Sequence, residues 1–575
     1  MMLNDFTVLE RTLSIDYSPA SNLKGTVTGA NWAFLLPSLE VERILCLGVP
    51  PGTTLATLGR IASEVFIACE KAGQMRKAEQ AIQQAGRANI YPVQADAHSD
   101  LPFTAGSLDL LVLTRENRVN RSEVEHHIHN GFARLLKPGG LIYTEIVGRA
   151  QPGDELNRNV NGSGESQVFW LTPIAGEMQT AVPVNDRDTI GYFYRKGLYT
   201  PLIRYMPFAR IERFLSRHPL SGDMLQRFSM LIGSSAGNLA DSPPAYLRSI
   251  AGRASVDIAN HRWGLSAKGK YNTRKVLIFL YNRDHGTPEY IAKMTRDPAF
   301  NPRLENEHRA LVMLKEMGIG DTECLPQVVF FGYHSDLAVV GETVVVGDDF
   351  REKTTASAGC PYALDAVNWL TELGASTADL ISATPEEVSA GIERLFSRFM
   401  EIYRLDQKHC QFLEEQISRI KESPEAFPLV FQHGDPGTWN VKISPNGRAA
   451  FLDWEAAEPK GIPLWDLFYF LRSYCTWAAS AQGVRNSLEG FERHFIRESA
   501  LSSLVIDSVQ NYCERVNLPR DMVEPLFYAC WMHRSLKEAT RLRADRLERG
   551  HYVNLLRLAI DQRGALTLQK LFSPT

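Results

Sequence analysis

From residue 41 to residue 147, short apolar runs alternate with helical stretches. ERILCLG, VFIACE, YPVQAD, LDLLVLT and GLIYTEIV are interleaved with TLATLGRIA and AGQMRKAEQAIQQAG. That alternation predicts a parallel sheet wound with helices. Residues 151–166 (QPGDELNRNVNGSGES) are polar and rich in Gly and Asn, which predicts a loop; strand-like QVFWLTPI and FSMLIGSS follow it. The first domain is expected to close near Ser235, and the paired Pro243 and Pro244 in AGNLADSPPAYL, which interrupt a helix, mark the boundary. Between Trp263 and Val346 the pattern turns predominantly β (KVLIFLY, EYIAKMT, QVVFFGY, ETVVVG), broken by one helical segment, RLENEHRALVMLKEMG. Beyond Tyr362 the chain reads as amphipathic helix, interrupted from Leu429 to Trp454 by short strands and a Pro/Gly-containing loop. The chemistry is expected in that interruption.

Composition narrows the classes. A chain of 575 residues exceeds one core, with roughly four domains as an upper guess. With 62 basic against 66 acidic side chains, a net of -4, there is no electrostatic reason to expect general binding to nucleic acid or anionic membrane. Apolar residues at 44% and charged residues at 22% allow a sizeable core rather than disorder. No uncharged apolar run reaches the roughly 18 residues of a membrane span, and the N-terminal stretch lacks a basic-then-apolar leader, so a cytoplasmic protein is expected. The eight cysteines are scattered with no Cys-x-x-Cys pair, which predicts buried, reduced thiols. His126, His127 and His129 sit beside Glu123 and Glu125, but their spacing follows no rule for ligands converging from one helix face.

Within FQHGDPGTWNVKI, Asp435 and Asn440 stand five positions apart, and FLDWE places Asp453 a further 13 residues on. Phosphoryl transfer needs a carboxylate to orient or deprotonate the attacking hydroxyl and oxygen ligands to hold Mg²⁺ on the nucleotide phosphates; these three side chains supply both. The Asp-to-Asn spacing is that of the protein-kinase catalytic loop, with Gly434 in place of that loop's Arg and DWE in place of Asp-Phe-Gly. Upstream, Lys293 in EYIAKMTRDP sits mid-strand among apolar neighbours, where an unpaired ammonium is costly unless a carboxylate and a phosphate meet it. Its proposed partner is Glu307 in RLENEHRALVML, with Leu311 and Leu314 on the same helix face; Glu305 is a nearby alternative. WGLSAKGKYNTRKVLIFLY offers a turn with Gly264 and Gly269 between two strands, suited to covering phosphates with backbone N–H groups.

HGD-x-x-x-x-N followed by DWE resembles the aminoglycoside phosphotransferase and choline kinase family, relatives of protein kinases that phosphorylate small molecules. The glycine-containing hairpin, strand Lys, helix Glu, catalytic loop and strand Asp occur in that family's order over residues 263–470. The resemblance implies that Asp435 is the catalytic base, that Asn440 and Asp453 hold Mg²⁺, and that Asp466 in PLWDLFYF is the structural aspartate, with His433 bracing the loop. Lys293, Glu307, Ser266, Lys268 and Gly269 would contact or position ATP. No Ala-Pro-Glu element follows Asp453, which disfavours a phosphorylation-switched protein kinase.

The N-terminal half resembles a class I S-adenosylmethionine-dependent methyltransferase over residues 41–147, with ARLLKPGGLIYTEI matching the signature near the fifth strand. By that resemblance Gly48 and Gly52 belong to the cofactor loop, Glu70 would bind the ribose hydroxyls and Asp96 would contact adenine. Two departures matter: Pro50 replaces the middle glycine and removes an N–H, and Cys46 replaces the usual acid.

These readings give an α/β Rossmann-like methyltransferase fold at 1–240, followed by an α+β bilobal protein-kinase-like fold at 241–575 (N-lobe about 255–350, C-lobe about 351–575). The expected activity is ATP- and Mg²⁺-dependent phosphorylation of a hydroxyl on a small molecule or glycan, with S-adenosylmethionine bound by the N-terminal half if that half is intact. The fusion resembles bacterial kinase-methyltransferases that cap polysaccharide chains, which implies phosphorylation and methylation of one acceptor in sequence. The alternatives are a non-catalytic scaffold retaining both folds, and a methyltransferase whose kinase-like half only recognises substrate. The tyrosine- and arginine-rich segment within 176–235 reads as a substrate cap or a domain interface. The basic run Arg534, Lys537, Arg541, Arg543, Arg546 and Arg549 reads as a solvated helix face; turned toward the acceptor it would favour a neutral or anionic sugar over a polycation.

Overall fold

The computed structural model describes residues 29–95, 101–113, 133–149, 166–173, 176–196, 225–233, 242–267, 275–283, 285–378, 380 and 382–573. Asp96, Lys268, Gly269 and the His126–His129 cluster lie outside them. The described residues divide into two compact units, one comprising those up to Leu304 together with Val328–Val344, the other Glu305–Gln327 and those from Val345 onward.

The first unit holds a single 13-stranded sheet. Its strands are β1 (Val41–Leu47), β2 (Ala62–Cys69), β3 (Ile90–Gln94), β4 (Leu108–Leu113), β5 (Leu136–Arg149), β6 (Ser166–Thr172), β7 (Thr180–Pro183), β8 (Leu225–Gly233), β9 (Arg262–Ser266), β10 (Lys275–Tyr281), β11 (Tyr290–Thr295), β12 (Val328–His334) and β13 (Leu337–Thr343). The order β3-β2-β1-β4-β5 is parallel, and β8 lies antiparallel between β5 and β6, the strand order of the class I methyltransferase fold. Within β1, Ile44–Leu47 form an unbroken apolar run because both faces of this sheet are covered. Ile44 and Cys46 enter one core with Leu55 and Tyr143, while Leu45 and Leu47 enter the other with Leu111 and Ile142.

At the other end, β12-β13-β11-β10-β9 form the antiparallel five-stranded sheet of a kinase small lobe. Strand β7 joins the two halves. Only four residues long, it pairs with β6 through Phe169↔Pro183 to Thr172↔Thr180, and with β9 through Thr180↔Ser266 and Ala181↔Leu265. The helix Arg187–Arg195 packs on the same junction: Phe193 meets Phe279 edge-on at 5.3 Å and Tyr192 meets Tyr281 at 5.6 Å. The described part of the tyrosine-rich segment is therefore an interface. Gly264 corrects the sequence reading. It lies within β9 rather than in the turn, where a Cβ would meet the Phe193 ring and Thr189 at 3.0 Å.

The second unit is mainly helical, with helices Pro361–Ala378, Pro385–Ile402, Gln407–Lys421, Trp465–Ala481, Ala500–Val516, Val523–Ala539 and His551–Asp561. Thr384 and Glu387 form a capping box at the second of these, and Asp406 caps the third through the His409 N–H. Trp465–Ala481 and Val523–Ala539 are buried on nearly every side, so the few polar groups they carry must be matched inside the protein. Among these helices lies the hairpin Val441–Ile443/Ala449–Phe451, flanked by the paired strands Val430–Gln432 and Glu458–Gly461. No helix among the described residues is long and apolar enough to cross a membrane.

Candidate active site

The loop after Val430–Gln432 is set by hydrogen bonds its own sequence supplies. Asp466, in the first turn of Trp465–Ala481, accepts from the backbone N–H of His433 at 2.5 Å and of Gly434 at 3.1 Å. Burial raises the Asp466 carboxyl pKa, opposed by His433 and Arg534. His433 is fully buried; its Nε2 donates to the Leu452 carbonyl at 2.9 Å and its Nδ1 accepts from the Asp435 N–H at 3.2 Å. Burial lowers its pKa, and this donor–acceptor pattern is that of a neutral imidazole. Gly434 has φ 78°, and a Cβ there would stand 1.9 Å from the Ala456 carbonyl oxygen. The loop thus lies backbone to backbone against the turn that follows Asp453.

Asn440 ties the three oxygen-bearing residues together. Its Nδ2 donates to the Asp435 carbonyl at 2.9 Å, leaving its Oδ1 to face elsewhere, and its own carbonyl accepts from Leu452 N at 2.8 Å. Asp435, Asn440 and Asp453 are each half-buried, open enough to meet a ligand. Asp453 adopts φ 68° and opens the short turn Trp454–Ala456. Glu307, fully buried, accepts from Trp454 N at 2.9 Å, and Asn306 donates to the carbonyls of Glu455 at 3.2 Å and Ala457 at 2.8 Å. Glu305 is only half-buried. The helix carrying Glu307 is therefore fastened to the Asp453 turn.

Lys293, in the other unit, projects from β11 and lies 2.9 Å from Glu342. The register pairs Lys293 with Val340, so Glu342 sits two residues along the same sheet face. Ser266 ends β9, buried between Leu277 and Thr180. In the N-terminal fold, Gly48 turns the chain after β1 with φ 92°. Gly52 serves helix packing, since a Cβ would meet Gln84 at 2.6 Å and the Ala81 carbonyl at 3.0 Å. Glu70 is exposed at the end of β2 with no ion-pair partner among the described residues. The Cys46 thiol, pushed up to about 12 by burial, is a core group rather than a polar contact.

Other residues at the loop were not singled out as site groups in the sequence. Arg534 Nη1 lies 3.5 Å from Asp435 Oδ1, with its guanidinium carbon 3.4 Å from the centre of the Tyr469 ring. Lys537 donates to the Gly434 carbonyl at 3.3 Å; burial lowers its pKa, with repulsion from Arg534 second. The basic run thus splits. Arg534 and Lys537, three apart on one helix face, serve the loop, while Arg541, Arg543, Arg546 and Arg549 follow the end of that helix and are exposed. Thr438 bonds Ser473 through its N–H at 3.1 Å and its hydroxyl at 3.0 Å. Asp466, Tyr469 and Ser473 recur at helical spacing, and that face was the available signal.

Among known proteins, residues 278–498 match the model of the phosphotransferase enzyme family. No curated protein matches the chain. Similar solved structures include WbdD bound to the kinase inhibitor LY294002, 10% identical, covering 84% of each chain with TM-score 0.22. A thermostable mutant of aminoglycoside phosphotransferase APH(4)-Ia is 13% identical, covering 53% of this chain and 90% of its own, TM-score 0.30. Geranyl diphosphate C-methyltransferase from Streptomyces coelicolor A3(2) is 12% identical, covering 35% and 74%, TM-score 0.22. The chain therefore carries a kinase-type phosphotransferase region at 278–498 behind an N-terminal fold of the class I methyltransferase type.

Proposed function

We propose that this protein transfers the γ-phosphoryl group of ATP to a hydroxyl of a small molecule or glycan end. The observation that carries the reading is the linkage of Asp435, Asn440 and the Asp453 turn through the Asn440 amide and carbonyl. Asp435 orients the acceptor hydroxyl and takes its proton as the new O–P bond forms and the bond to ADP breaks. Arg534 holds that carboxylate in place. The Asn440 and Asp453 oxygens are hard ligands suited to Mg²⁺, which would neutralise charge on the phosphates. Lys293 and Glu307 are proposed to position the nucleotide, and Lys268 and Gly269 to cover it in the segment that follows Ser266, the last residue of β9.

We propose further that the N-terminal fold binds S-adenosylmethionine, with Glu70 on the ribose hydroxyls, Asp96 near adenine and the Gly48 turn beneath. No methyl-transfer step is assigned, since Cys46 offers no acid and Gly52 is taken up by helix packing.

The test is Asp435→Asn in the full chain. ATP turnover falls by about a hundredfold or more while Mg²⁺-dependent nucleotide binding persists; turnover near wild type refutes the assignment of the base.

A further inference from the structure

Beyond Asp435 the second unit gathers positive charge that it does not neutralise. Arg472, on the same helix as Asp466 and Tyr469, is 7% exposed. Its guanidinium reaches the Tyr552 hydroxyl at 3.3 Å and the Nε2 of His551, and its carbon stands 5.0 Å from the Tyr552 ring centre. None of these partners carries negative charge. No carboxylate lies within ion-pair distance of Arg472 among the described residues, and its Nε has no hydrogen-bond partner there. A buried guanidinium without a counter-ion is costly, because desolvation is not repaid by a paired charge.

Arg351, exposed on the short helix Phe350–Lys353, adds a second positive charge beside Arg472. It donates to the Thr438 hydroxyl at 2.9 Å and stands 5.4 Å from the Trp439 ring, with no carboxylate partner among the described residues. Desolvation, and then repulsion from Arg472, hold it below its ordinary range. The two arginines are joined to the catalytic loop by aromatic rings. Trp439, 49% exposed, meets Tyr469 edge-on at 6.0 Å, and Tyr469 lies 6.2 Å from Tyr552 and directly under Arg534. His551 and Tyr552 are half-buried, so the cluster opens to solvent.

We infer that this cluster is an oxyanion subsite for the acceptor: the molecule that presents its hydroxyl to Asp435 carries a phosphate or carboxylate of its own, seated on Arg472 and Arg351. Trp439, the exposed ring of the cluster, supplies a face on which a sugar ring stacks, and the arginines offset the repulsion between an anionic acceptor and the triphosphate. The inference rests on the phosphotransfer reading and names its substrate class.

The test uses the full chain saturated with Mg²⁺ and a non-hydrolysable ATP analogue, so that the nucleotide site does not take the probe. Inorganic phosphate and acetate are titrated separately by calorimetry, and whichever binds identifies the anionic group. Binding of one of them that weakens tenfold or more in both Arg472→Gln and Arg351→Gln, with analogue affinity unchanged, supports the inference. Arg351→Gln, outside the buried helices, keeps the test valid should the Arg472 variant misfold. Absence of binding by both probes, or binding indifferent to both substitutions, overturns it. Failure of the wild-type chain to bind the Mg²⁺-analogue complex overturns the phosphotransfer reading instead.

Discussion

Gly434→Ala separates the geometry of the site from its chemistry, because the added methyl touches no substrate. The new Cβ would sit 1.9 Å from the Ala456 carbonyl oxygen, whereas real Cβ contacts essentially never fall under 3.0 Å. Backbone faces backbone, so no side chain can swing aside; the loop bearing Asp435 and the turn after Asp453 must part by at least about 1 Å. A misplacement of about 1 Å typically reduces rate by about a hundredfold. The left-handed backbone adds a conformational penalty of about 1–2 kcal/mol. Gly447→Ala is the matched control. It is also left-handed, with φ 82°, in the hairpin between Val441–Ile443 and Ala449–Phe451, but its Cβ would meet only Tyr362 at an ordinary 3.6 Å. Coupled measurement of ADP release then gives about a hundredfold loss of kcat for Gly434→Ala and near-wild-type kcat for Gly447→Ala. Equal turnover in the two variants refutes the claim that close approach of these backbones sets the site.

Removing the Asp466 carboxylate with Asp466→Ala strands the buried N–H groups of His433 and Gly434, a loss of about 2–6 kcal/mol at about 1–3 each. Urea unfolding followed by tryptophan fluorescence reads it, and a loss under about 1 kcal/mol contradicts the hydrogen-bond account. Acid should destabilise the fold, because burial lowers His494 to about 4 and His551 to about 3. Below pH of about 6.5 the unfolded chain takes up protons that the folded chain refuses, so stability falls with falling pH, by up to about 1.4 kcal/mol per unit for each histidine. His494→Gln removes one share of that slope between pH 6.5 and 5; an unaltered slope argues against it.

What the sequence revealed followed from local physics. The alternation of ERILCLG with helical stretches announced a parallel strand of a helix-wound sheet, and the five-residue interval from Asp435 to Asn440 survives as one hydrogen-bonded loop. The junction was not legible in the same way. Strand β7 owes its place to a local pairing with β6 on one edge and a pairing with the sequence-distant β9 on the other, and nothing in four residues of Thr-Ala-Val-Pro specifies the second. Gly264 reads as a turn glycine until the Phe193 ring is seen lying on it. Arg472 and Tyr552, 80 residues apart, meet only through helix packing. Arg534 was visible as charge, yet only the buried helix around it separates it from the exposed arginines that follow.

On the proposed function, Asn440 and Asp453 hold a magnesium-bound nucleotide for Asp435 to act upon. Calorimetric titration of a non-hydrolysable ATP analogue, with and without Mg²⁺, tests it most directly. Mg²⁺ should tighten binding to the wild-type chain, and this enhancement should disappear in Asn440→Ala/Asp453→Ala while metal-free affinity is retained. The same Mg²⁺ enhancement in both proteins would contradict it.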